Sequence, residues 1–357
     1  MQVDEEARRV VHVGAERVSN VSSTDFPGYA PDEDQSWDLE RFKNKLSVKV
    51  QRLSNRSIEF DLVRVDASIA NALRRIMIAE VPTICIEHVY IWDNTSVIAD
   101  EVLSHRMGLV PLNVDPAVMD VRQGNDATDR NTVVFKLDVT CQRRPDAPKY
   151  DGKGEPPKDS ELYINHEVLS KDLVWQPQGE QVNVFANNPP AATNGDIVLA
   201  KLRPGQSIKI EMHAVKGLGS DHAKFSPVAT ASYRILPSIK LNPEKSIPPH
   251  LITKFQQCFA PGVIRVDIAT KAVSVADPRK DTVSREVLRH PEFAGCVELG
   301  RVRDHFIFNV ESEGPYVPER LLPEAISVLR TKIATLRQAA ELLLNGGEAS
   351  DAEMDVS

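Results

Sequence analysis

The sequence predicts a fold that mixes strands and helices, and three observations predict it. Two alternating apolar and polar runs stand back to back around residue 50. Short β-branched runs, separated by Pro, Gly and Asn, fill the middle of the chain. A long run with a helical apolar stripe closes it. The 357 residues suffice for two or three domains, and 41% hydrophobic content supports a sizeable core.

The elements follow in order. Residues 1–40 are polar and acid-rich, with DEDQSWDLE at Asp32–Glu40, and read as an N-terminal arm. Phe26, Trp37, Leu39 and Phe42 are the apolar residues available to pin it to a surface. LSVKVQRL (46–53) and SIEFDLVRV (57–65) alternate on either side of SNR, which predicts a β-hairpin. Asp66 is placed to cap the helix ASIANALRRIMIAE, whose Ile69, Leu73, Ile76 and Met77 form one stripe, and Pro82 stops it. TICIEHVYIW (83–92) predicts a strand. A helical turn around Ala99–Met107 leads into GLVPL.

Between 113 and 230 the clearest strands are VVFKLDVTC, ELYINHEVL, DIVLAKL and SIKIEMHAV. Gln142–Ser160 holds five basic and four acidic residues among its prolines, so it reads as a solvated excursion. ATASYRIL (229–236) returns to strand pattern. HLITKFQQCF predicts a short helix with Leu251, Phe255 and Phe259 on one face, and HFIFNVES (305–312) a strand. The last helix runs from about Pro318 to Leu344. Its Leu322, Ile326, Leu329, Ile333, Leu336, Ala340 and Leu343 are spaced 4, 3, 4, 3, 4, 3. That 3.5-residue repeat marks a packing seam, against a helix of another chain or against the chain's own sheet; its straight course favours the former. The residues beyond carry four acids and no base, and read as a disordered tail (346–357).

Charge and motifs exclude several functions. The balance of 43 basic and 51 acidic residues, −8 net, argues against sequence-independent nucleic-acid binding. Cys85, Cys141, Cys258 and Cys296 form no C-x-x-C pair, so no zinc or redox spacing appears and a reducing compartment fits. His166-Glu167 is followed by Ser170 where a zinc-binding histidine is required. The N-terminus lacks the apolar core of a signal peptide, and no uncharged apolar run of about 18 residues occurs, so a soluble intracellular protein is expected.

The loop KGLGSDHAKFSPV (216–228) gathers groups that suggest chemistry. As a dinucleotide fingerprint it has His222 where the third glycine belongs, and no helix follows it. As a hydrolase site its Asp221, His222 and Ser226 are too local in sequence, and no G-x-S-x-G elbow exists. Its glycines need only serve a positive φ or a close backbone approach. Two other segments mix apolar anchors with strongly hydrogen-bonding groups: Asn71, Arg74 and Arg75 on one helix, and Asp100, Glu101, His105 and Arg106 beside Gly108. Guanidinium forks suit interface carboxylates as well as solvent.

These last segments carry a resemblance. Asn71–Leu112, NALRRIMIAEVPTICIEHVYIWDNTSVIADEVLSHRMGLVPL, resembles the α-motif of RNA polymerase α-like subunits. GLGSDHAKFSPVATASYRILP is similar to the second hallmark of their archaeal and eukaryotic branch. NVSSTDFPGYAPDEDQSWDLERFK resembles the box of the larger α-like subunits shared by polymerases I and III. The polymerase II counterpart carries a cysteine cluster in its inserted domain, where this chain has Cys141 alone; Cys258 and Cys296 are too few for an archaeal iron–sulfur insertion.

The resemblance covers about 20–345. It implies an α+β fold with a discontinuous α-like dimerisation domain (41–85 and 230–345), an inserted mainly β domain (86–229) and a long C-terminal helix. It places the seam helix against the smaller α-like subunit in a heterodimer that nucleates assembly. It directs Asn71, Arg74, Arg75, His105, Arg106 and Gly108 toward the second-largest subunit, and implies docking of small zinc-binding subunits. Gly217, Gly219, His222, Lys224, Phe225 and Pro227 become an assembly loop. No catalytic residue, cofactor or metal is expected, and the location implied is the nucleus and nucleolus. The alternatives are a polymerase II or archaeal equivalent, and an independent enzyme using the 216–228 loop.

Overall fold

The computed structural model describes residues 9–21, 36–122, 124, 126–148, 156–267 and 269–344. The elements run β1 (Val10–Val13), β2 (Val18–Ser19), α1 (Leu39–Lys45), β3 (Ser47–Leu53), β4 (Ser57–Val63), α2 (Ala67–Ala79), β5 (Thr83–Asn94) and α3 (Asp100–Gly108). There follow β6 (Val133–Thr140), β7 (Gln142–Arg143), α4 (Asp159–Leu162), β8 (Tyr163–Ile164), β9 (Glu167–Leu169), β10 (Val174–Gln176), α5 (Gln181–Val184) and β11 (Val198–Lys201). The last are β12 (Ser207–Gly217), β13 (Val228–Leu241), α6 (Ile252–Gln257), β14 (Ile264–Val266), β15 (Val273–Val275), β16 (Val297–Ser312) and α7 (Pro318–Leu344). The fold is α+β with antiparallel pairing at every strand register described.

The chain divides into two compact units, and neither is continuous. The first holds the described residues up to Leu53, Ile58–Ala72 and Ser232–Asn309; the second holds Ser54–Ser57, Leu73–Ala231 and Val310 to Leu344.

The first unit is built on a sheet ordered β2-β1-β16-β4-β3, with β13 also paired to β16. The expected hairpin forms, with Val48 opposite Leu62 and Val50 opposite Phe60. Phe60 stacks on Phe308 at 4.9 Å, and Tyr233 meets Phe306 edge-on at 5.2 Å, so aromatic packing holds the sheet centre. Beside it lies the buried Asp61. Arg279 reaches it at 2.6 Å, Gln51 donates to it at 2.9 Å, and His305 Nε2 stands 3.2 Å away. Burial alone would raise the Asp61 pKa, but the hydrogen bonds and charge of Arg279 and His305 outweigh it and hold the carboxyl below its ordinary value.

The second unit is built on the sheet β10-β6-β12-β5. Its inner face buries Ile84, Ile86, Phe135, Leu137, Ile210 and Met212 against Leu103 and Met107 of α3. Alternation explains this: β6 and β12 place every second residue inward.

Four sequence expectations change. The N-terminal arm contributes β1 and β2, with Val10 and Val13 buried; the part at 22–35 lies outside the described residues, as does the tail at 346–357. ELYINHEVL is not one strand: Asn165 takes a left-handed φ of 57° and separates β8 from β9. The strand expected at 305–312 begins at Val297; its first half is charged, and Asp304 there is bound laterally by Arg9 and Arg64. In α2 the buried stripe is Ala70, Leu73, Ile76 and Met77, while Ile69 is exposed. Asp66 caps α2 as expected, accepting from Ser68 N at 2.8 Å. The excursion at 142–160 carries β7 and α4 at its ends, and 149–155 lies outside the described residues.

Candidate functional site

The loop after β12 is defined by what its glycines approach. A Cβ on Gly217 would lie 2.7 Å from the Phe225 ring. One on Gly219 would lie 2.4 Å from the Ile78 carbonyl oxygen and 3.1 Å from Ala79 Cα. Neither glycine has a positive φ, so close approach is the reason for both. Ser220 N donates to Ala79 O at 2.8 Å, which fastens the loop to the C-terminal end of α2.

The rest of the loop is fastened to β5. Thr83 Oγ1 donates to Phe225 O at 2.6 Å and Cys85 Sγ to Lys224 O at 3.0 Å. Phe225 is buried with Cys85 and Val215, and Pro227 is buried beside it in sequence. Lys224 Nζ donates to Ile86 O at 2.9 Å, pairs with Glu87 and lies 5.2 Å from the Phe225 ring centroid. Burial pushes the Cys85 thiol up to about 11, so it is a packed thiol and not a thiolate nucleophile. His222 Nδ1 accepts from Lys224 N at 3.1 Å, and Ser226 Oγ donates to Val228 O at 3.1 Å. These side chains serve the loop's own backbone, and no relay joins them. The loop holds a 3-10 turn at Ala223–Phe225 and runs into β13, in place of the helix a nucleotide site requires.

A cleft of about 230 Å³ opens beside this loop. It brings together residues far apart in sequence: His105 and Gly108 from α3, His222 and Lys224 from the loop, and Glu87 from β5. Gly108 sits where a Cβ would be 3.4 Å from Ile86 O. Arg106 is otherwise engaged. Its guanidinium donates to Leu199 O at 3.0 Å and Val198 O at 2.6 Å, holding β11. Arg74 and Arg75 do not line the cleft. Arg75 is exposed, while Asn71 and Arg74 are half-buried in α2. Glu87 escaped sequence reading, since nothing in TICIEHVYIW distinguishes it from any outward-facing strand residue.

The long helix α7 has a second site character. It buries Pro318, Leu321 and Ala325. Its base is held by Tyr316, whose hydroxyl donates to Pro82 O at 2.9 Å, and by Arg320, which pairs with Asp115 at 2.8 Å and stacks 5.0 Å from the Tyr316 ring. Hydrogen bonding to Asp115 raises the Arg320 pKa further, and burial raises that of Tyr316. Burial would raise Asp115, but Arg320 outweighs it and lowers it. Lys332 bonds Glu80 at 2.8 Å. The heptad stripe is one register away from the buried residues: Ile326, Ile333, Leu336 and Leu343 are 43%, 56%, 71% and 75% exposed. Ala340 is also exposed, and Leu322 and Leu329 are half-buried. Tyr316, Arg320 and Asp115 were missed in the sequence because their partners lie up to 234 residues away.

Among the described residues no three His, Cys, Asp or Glu side chains gather as a metal site, and no helix is long and apolar enough to cross a membrane. The four cysteines are buried free thiols.

Comparison with known proteins adds the family. Residues 59–333 match the family described as the RNA polymerase Rpb3/Rpb11 dimerisation domain. The chain is 50% identical over 334 residues to the Saccharomyces cerevisiae DNA-directed RNA polymerases I and III subunit RPAC1, across 92% of this chain and 97% of the yeast protein. It is 45% identical over 335 residues to the Homo sapiens RPAC1, across 93% and 95%. It is 33% identical over 313 residues to the Dictyostelium discoideum DNA-directed RNA polymerase II subunit rpb3, across 83% and 96%.

Proposed function

Because this chain belongs to the RNA polymerase Rpb3/Rpb11 dimerisation-domain family, we propose that it is a non-catalytic assembly and scaffold subunit of DNA-directed RNA polymerases I and III. In this reading it heterodimerises with the smaller α-like subunit and docks the second-largest subunit and the small zinc-binding subunits. It then serves transcription of rRNA, 5S rRNA and tRNA in the nucleus and nucleolus. Identity of 50% to a polymerase I and III relative, against 33% to a polymerase II relative, favours this over the polymerase II equivalent.

The observation that carries the reading is the exposed seam of α7. An isolated chain leaves Ile326, Ile333, Leu336 and Leu343 in water, which a partner helix would cover. The dimerisation domain is assigned to 41–85 and 230–345, with 86–229 inserted. The cleft that joins His105 and Gly108 to His222 and Lys224 is assigned to the second-largest subunit, together with Asn71, Arg74 and Arg75. Arg106 supports that face by holding the β11 carbonyls. Co-expression with the smaller α-like subunit should yield a soluble 1:1 dimer in light-scattering chromatography. A well-behaved monomer that ignores this partner would sink the proposal.

A further inference from the structure

The first unit contains a groove of about 1180 Å³ that the dimerisation reading does not use. Val11, Val18 and Ile235, with the rings of Trp37 and Phe42, give it an apolar wall. Arg41, Lys45, Arg64, Arg285, Arg301 and Arg303 line it, against Asp38, Asp66 and Asp304. The three carboxylates already have tasks inside the unit. Asp38 accepts from Arg41 N at 2.5 Å and Asp66 from Ser68 N at 2.8 Å, each capping a helix. Asp304 holds Arg9 at 2.8 Å.

Two cations are left over. Among the described residues neither Arg285 nor Arg301 forms an ion pair, and Arg301 Nε is buried without a hydrogen-bond acceptor. Buried donors are almost always satisfied, so this orphan points to a group that arrives from elsewhere. The field of Asp281 reaches Arg301, but burial raises the pKa of that carboxyl and weakens it as a counter-charge. The backbone at the rim is also unusual. Arg64, Val283 and Arg285 line the groove with left-handed φ of 65°, 57° and 59°, and Val283 is β-branched. Such conformations are costly and cluster at binding sites.

We propose that this groove docks an extended acidic peptide segment of another protein chain. Its carboxylates pair with Arg285 and Arg301, and an apolar side chain lies against Val11, Val18 and Ile235. Charge complementarity carries the assignment. A peptide fits better than a nucleic acid for two reasons. Single strands are held by successive aromatic platforms, whereas the aromatic rings that line this groove, Trp37 and Phe42, lean on each other with centroids 6.2 Å apart. The carboxylates in the wall and the −8 charge of the chain oppose a phosphate backbone.

The test places the photo-crosslinker benzoylphenylalanine at Val18, which is 46% exposed, in the full chain within its assembled complex. The expected adduct is an acidic segment of a different chain, suppressed by high salt and reduced about tenfold by Arg285→Glu. Arg285 is exposed, so the variant should melt with the parent; if it does not, Arg285→Gln gives the same reading. An adduct with residues 22–35 of the same chain, a nuclease-digestible adduct, one indifferent to Arg285, or none at all would each overturn the proposal.

Discussion

A Cβ on Gly219 would stand 2.4 Å from a backbone oxygen, which no rotamer change relieves. Gly219→Ala should therefore lower stability by about 1–3 kcal/mol, measured by urea denaturation of the complex. Asp61 is the other residue with a sharp consequence. Its folded pKa is below the ordinary carboxylate value, so its contribution is present above the unfolded pKa and disappears as pH falls through the folded one. The protein should lose stability on acidification below about pH 4. Asp61→Asn should cost about 3 kcal/mol at neutral pH, since it removes the buried counter-charge of Arg279, whose other carboxylate, Glu59, is more exposed. It should also flatten the acid limb of a thermal-melt series. An unchanged acid limb would mean that other carboxylates carry it.

At the scale of elements, α7 was legible because its stripe is periodic, and the described helix, Pro318–Leu344, follows the pattern. Ile333→Asp should leave the isolated chain folded, because Ile333 is 56% exposed there. It should abolish the heterodimer, because the charge then enters a covered seam. Leu329→Asp should do the same, with some cost to the chain itself, since Leu329 is half-buried. Size-exclusion chromatography of the co-expressed pair separates these outcomes, and a surviving dimer would show that the seam lies elsewhere. Short strands were less legible. β8 and β9 were read as one, since a single left-handed asparagine divides a run whose apolar pattern does not change. The first half of β16 was missed because arginines and an aspartate occupy it, and Asp304 finds its partners, Arg9 and Arg64, only outside the strand.

At the scale of the molecule, His222→Ala should weaken polymerase assembly without removing any activity of the purified chain. Its Nδ1 holds the Lys224 amide, and Lys224 in turn reaches Ile86, 138 residues away. Loss of a turnover measurable in the isolated chain would refute this and restore the enzyme reading. The types of most elements, the mixed α+β class and the family were determined by the sequence alone. Each rests on local periodicity or on contiguous motifs, which a chain displays before it folds. Which side chains meet was decided by tertiary structure. The meeting of His105, Gly108, Glu87 and Lys224 at one cleft, the retirement of Arg106 to the β11 carbonyls and the unpaired Arg301 in its groove all depend on contacts between distant segments. Such contacts are set by packing and hydrogen-bond satisfaction across the whole chain, and no local pattern encodes them.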